Sequence, residues 1–123
     1  MGEPEPGGVA AVVASMQRRL DALTPAQENR RDFLATYQRT TLAVGEAIDR
    51  GVFEDGPWVE AWDVVFADLY LDALDADLSG VGRVPRPWRL AFDADPGLPA
   101  LRKVLLGINA HINYDMPQAL LAV

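Results

Sequence analysis

Apolar side chains recur three and four positions apart in four separate stretches of this chain, and glycine, proline or short polar turns separate the stretches. That period places them on one face of an α-helix, and no stretch alternates in the two-residue rhythm of a strand. In the first stretch the stripe is Val9, Val13, Met16, Leu20 and Leu23, predicting a helix over about 9–23. Thr24-Pro25-Ala26-Gln27 then restarts the chain. Threonine can cap, proline suits a first helical position, and a glutamine three residues after the threonine completes a capping box. The second helix is expected to run from there to about Arg50, with a seam of Leu34, Tyr37, Thr41, Val44 and Ile48, and to stop at Gly51.

Asp55-Gly56-Pro57 opens a third helix that should reach about Leu78 and end at Ser79-Gly80. Trp58, Trp62, Val65 and Leu69 form one stripe, flanked by Phe66, Tyr70 and Leu74. Such a wide apolar surface marks a central helix. Pro87 to Phe92 has the length of a short helix, and Asp95-Pro96-Gly97 is a turn. A final helix begins near Leu98 or Pro99 and contains Pro117. The expected fold is therefore all-α, a bundle of four main helices plus a short connecting helix. Residues 1–8 read as a disordered N-terminus and 9–123 as a single helical domain.

Composition narrows the functional classes. The formal charge of −7, from eighteen acidic and eleven basic side chains, repels phosphate backbones and anionic bilayers. Neither nucleic acid nor membrane is an expected partner. No apolar run approaches the roughly 20 residues of a membrane span, and the Gly/Pro/Glu-rich start has no basic signal-peptide region. The absence of cysteine excludes disulfides, thiol nucleophiles and thiolate metal sites. Together these features predict a cytoplasmic protein.

The candidate chemistry lies on the last helix. Leu101, Val104, Ile108, His111 and Asp115 share one stripe, and Leu105, Asn109, Ile112 and Met116 share the next. Polar groups on faces expected to turn inward need partners, so the cluster is either a satisfied internal network or a lined cavity. His111 and Asp115, at i and i+4, can reach each other or one ligand. A carboxylate that accepts from one imidazole nitrogen leaves the other free as a general base or metal ligand. His111 and Asp115 are thus the candidate catalytic pair and the candidate ligands of at most one divalent metal ion. Asn109, Asn113 and Trp62 are the candidate lining of a ligand pocket.

Pro117 cannot donate to the carbonyl of Asn113, which predicts a kink there. Gly107, one turn before His111, would permit a close helix approach. Asp68, Asp72 and Asp75 share a face of the third helix, either as hard-metal ligands turned toward His111 or as a solvated acidic stripe. In Pro85-Arg86-Pro87-Trp88-Arg89, the arginines could hold an anion or pair with surface carboxylates while Trp88 packs inward.

Three strings resemble a known family. They are Trp62 to Ala67 with Tyr70, Ala73 and Leu74; Pro87-Trp88-Arg89 with Ala91-Phe92; and Leu105 to Asn113 with Asp115. Together they resemble domain of unknown function 5995, a family met mainly in actinobacteria. The resemblance implies helices and an unassigned function. It also implies that the chain is an N-terminal portion or a shortened member of that family. A fainter likeness is to the zinc-dependent phospholipase C and single-strand nuclease superfamily. That motif needs further histidines where Pro117 and Leu121 stand, and the sequence has one histidine in all. The apolar end Leu120-Leu121-Ala122-Val123 suggests a homo-oligomer or a further C-terminal segment packed on the last helix. Three functions stay open: a helical enzyme domain, metal-assisted or based on His111; a small-molecule binding domain; and a self-associating structural domain.

Overall fold

The computed structural model describes residues 8–123, so the expectation of a disordered start falls, but for Gly8, outside the described residues. The fold is all-α. Helix α1 spans Gly8–Ala22, α2 Arg31–Asp49, α3 Gly56–Ser79, α4 Arg86–Phe92, α5 Ala100–Ala110 and α6 Met116–Ala122. A 3₁₀ segment, Pro25–Arg30, precedes α2, and one π turn, His111–Asp115, joins α5 to α6.

Local chemistry sets most boundaries. Asp55 caps α3 by accepting from the Trp58 amide at 3.1 Å. Gly80 ends the helix at φ 70°, a left-handed position that favours glycine. Gln27 Oε1 accepts from the Thr24 amide at 3.1 Å, so that arm of the capping box forms. The chain nevertheless starts as a six-residue 3₁₀ segment rather than the expected α-helix. Tertiary bonds hold this tight first turn. Asn29 donates to the carbonyls of Phe92 and Ala94, and Arg30 forks onto Asp77 at 2.9 and 3.1 Å.

Helices α2 and α3 carry the centre of the packing. Helix α2 meets α1, α3 and α5, and α3 meets α1, α2, α4 and α6. Met16, Leu34, Leu74 and Trp88 are fully buried in one cluster with Phe33, Tyr37, Tyr70 and Phe92. On α1 the inward residue is Val12 rather than the expected Val13. On α3 the inward face carries Phe66, Tyr70 and Leu74, as the flanking stripe suggested, and also Asp63. The Trp58 stripe lies at the edge, with Trp58 42% exposed and Trp62 half-buried.

The last helix is turned differently from its apolar pattern. Its inward residues are Gly107, Ala110, His111, Asp115 and Ala119, whereas Leu101, Leu105, Ile108 and Ile112 face outward. The cause is close approach. A Cβ on Gly107 would lie 2.3 Å from Cδ2 of Phe33, so only glycine lets α5 rest on that ring. Small residues face α2 and the large ones are left outside. The break expected at Pro117 takes the form of the π turn, in which the Met116 amide bonds the His111 carbonyl. A residue lacking an N–H thus follows a widened turn, a local feature frequent at functional sites.

Candidate functional site

The π turn carries two of the proposed site residues into the core. His111 Nδ1 lies 2.7 Å from Asp115 Oδ2, and Trp88 Nε1 donates to the same oxygen at 2.9 Å. All three side chains are buried, with Trp88 wholly so. Helix α4 supplies Trp88 because Arg89 anchors that helix to Asp77 of α3, a carboxylate also held by Arg30. An ionised Asp115 oxygen that serves both neighbours selects the tautomer with the proton on Nδ1 of His111 and a lone pair on Nε2. Burial pushes the His111 imidazole below its ordinary range, partly opposed by its hydrogen bond to Asp115.

His111 lies in an aromatic nest. Its ring stacks on Phe66 with centroids 3.6 Å apart and planes 7° apart, and Tyr37 approaches edge-on at 4.6 Å. Phe66 in turn stacks on Trp62 at 5.1 Å, and Trp62 on Trp58 at 6.3 Å. Four buried polar atoms lack a partner among the described residues: the Tyr37 hydroxyl, Trp62 Nε1, Asp63 Oδ2 and His111 Nε2. All four belong to side chains in or beside this nest. Buried polar atoms are normally satisfied, so such a concentration needs a reason.

Asp63 and Tyr37 show what that environment does. Burial, with a lesser contribution from Glu60, pushes the Asp63 carboxyl up to about 6. Burial also raises the Tyr37 hydroxyl, and among charged neighbours Asp63 acts on it most strongly, ahead of Asp115. Neither residue figured in the sequence-based site. Asp63 could have been found: with Phe66, Tyr70 and Leu74 it is spaced 3-4-4, on a face that is otherwise apolar.

The remaining candidates lie elsewhere. Asn109 and Asn113 lie outside this nest, and Asn109 lines an open groove with Leu98, Arg102, Leu105 and Leu106. Both asparagines are exposed and bonded to each other at 2.7 Å, because the small-residue face of α5 turns inward and carries them outward. Trp62 touches the nest through Phe66. Asp68, Asp72 and Asp75 are a solvated stripe, with Asp75 gripped by both ends of the Arg19 guanidinium at 2.7 Å. They do not turn toward His111. Among the described residues no group of three or more His, Cys, Asp or Glu is placed to hold a metal ion. A shallow groove of about 170 Å³ brings Arg83, Tyr114 and Gln118 to the edge of Asp115.

The sequence model of a family of unknown function, DUF5995, matches residues 9–123. The chain belongs to that family. It is also 38% identical over 80 residues to the DNA-directed RNA polymerase subunit beta of Dinoroseobacter shibae, covering 57% of this chain and 6% of that protein. The same subunit of a Jannaschia species is 39% identical over 77 residues, covering 54% of this chain and 6% of that protein. The chain thus spans about 6% of the length of these curated relatives. No solved structure matches it. No helix among the described residues is long and apolar enough to cross a membrane.

Proposed function

We propose that this DUF5995 chain carries a small-molecule site at which His111 acts as the acid or base and Asp115 is its positioning residue. The observation that carries this reading is the buried Trp88–Asp115–His111 chain of hydrogen bonds, which leaves Nε2 as an unpartnered acceptor. A purely structural network would be expected to use both imidazole nitrogens, because a buried orphan costs about 1–3 kcal/mol. An imidazole whose tautomer is set by a carboxylate and whose other nitrogen is free is the arrangement proton transfer requires. Screening neutral and cationic fragments by ligand-observed NMR tests it. Fragments that bind the wild type and not a folded His111→Asn variant support the reading. A screen with no His111-dependent fragment contradicts it.

A second reading concerns association with another copy of the chain. Leu101, Leu105, Ile108 and Ile112 form an outward apolar stripe at 4-3-4 spacing, and Leu101 is 68% exposed. The only acidic side chain of the α5–α6 segment, Asp115, is buried, so this face carries no side-chain carboxylate on a chain of net charge −7. Two acidic copies meet there with the least repulsion. Light scattering should show a mass that rises toward the dimer with concentration and stays monomeric in Leu105→Lys. A monomer at every concentration contradicts this reading.

A further inference from the structure

We propose that the groove beside Asp115 binds a small zwitterion, an α-amino acid of alanine size, with its ammonium group on Asp115 and its carboxylate on Arg83. The inference goes beyond the acid–base reading of His111, because it concerns the other oxygen of Asp115. Oδ2 is occupied by Trp88 and His111. Oδ1 has no hydrogen bond among the described residues, yet it is not one of the four unpartnered atoms sealed from solvent. Asp115 is 1% exposed and lines this groove, so Oδ1 opens into it. Burial favours the neutral form of His111, which leaves the charge of Asp115 without a cation against it. A carboxylate so held calls for a charged donor.

The rest of the lining decides which donor. Asp72 and Arg83 border the same space, and neither forms an ion pair among the described residues. A simple cation would meet the Arg83 guanidinium there, and a simple anion would meet Asp72 and Asp115. A molecule with both signs suits all three, since the planar fork of arginine matches a carboxylate and an ammonium group matches the acids. Gln118 gives its Nε2 to the Tyr114 carbonyl at 2.9 Å, leaving its Oε1 as a further acceptor. Leu69, Ala73 and Pro85 supply an apolar wall for a short side chain. The space of about 170 Å³ holds about six heavy atoms at the roughly 30 Å³ that a water takes up, which is the size of alanine. A metal ion is a poorer match, because no third metal-binding side chain joins the two carboxylates.

The test uses L-alanine as the probe, with sodium propionate and ethylammonium chloride, each carrying one of its charges, as controls at matched ionic strength. Saturation transfer to the alanine methyl group reads binding. The imidazole resonances of His111, the single histidine of the chain, read its place, because that ring shares the Asp115 carboxylate. L-Alanine should bind saturably and shift the imidazole, and both controls should bind several-fold more weakly. Arg83 and Asp72 are exposed, so Arg83→Gln and Asp72→Asn should fold and should each weaken binding several-fold, the scale of a solvent-screened charge pair. No saturable binding up to about 100 mM overturns the inference. So does an equal response to either control, undiminished binding by both variants, or binding that leaves the His111 resonances unmoved.

Discussion

Replacing Asp115 by alanine removes one oxygen that serves two buried donors, and its cost follows from that geometry. Trp88 Nε1 at 2.9 Å and His111 Nδ1 at 2.7 Å would both lose their acceptor, in a place that water does not reach. Each stranded donor costs about 1–3 kcal/mol. Relief from burying a carboxylate offsets part of this. The expected net loss is about 2–4 kcal/mol, against a total stability of about 5–15 kcal/mol for a domain of ordinary size. Urea unfolding followed by tryptophan fluorescence measures it, with Trp88 as a wholly buried reporter. The midpoint should fall by about 1 M or more with the slope unchanged. A cycle with Trp88→Phe should return a coupling of about 1 kcal/mol or more. A loss below about 1 kcal/mol with no coupling would refute the idea that Asp115 ties the two helices together.

Three further outcomes follow from the same contacts. Asp63→Asn should stabilise the fold at pH 7, and the gain should shrink as pH falls from about 6 toward 4. A raised carboxyl favours the folded state below its ordinary value, and that contribution is lost as pH rises through about 6, so denaturation at several pH values checks it. His111 works the other way. With its folded value lowered, its contribution is present above about 6.5 and lost as pH falls, so His111→Gln should flatten the decline between pH 7 and 5. Gly107→Ala should destabilise by about 1–2 kcal/mol, since overpacking against Phe33 outweighs the helix-propensity gain of about 1 kcal/mol. Phe33→Leu in the same chain should recover part of that loss in a thermal melt.

Much of the architecture was legible because it is written in local chemistry. The Asp55 cap, the Gly80 stop and the seam residues Leu34, Tyr37 and Thr41 stand where spacing places them. The orientation of the last helix was not legible. A pattern of large apolar residues says which side of a helix avoids water, but Gly107, Ala110 and Ala119 decide which side approaches a neighbour most closely. That is why His111 and Asp115 are inside as expected while Asn109 and Asn113 are not. The π turn ends just before Pro117, whose effect could be foreseen as a break but not as a widened turn. Phe33 and Trp88 act on the site across helices, through contacts with no signature along the chain.

The central claim is that Asp115 fixes the proton on Nδ1 of His111 and leaves Nε2 as a free acceptor. Nitrogen-detected NMR of the single histidine measures this directly, without ambiguity of assignment. The account predicts a neutral Nδ1–H imidazole at pH 7 with a midpoint below the ordinary 6.5. An Nε2–H imidazole, or a ring that titrates at or above 6.5, would contradict it.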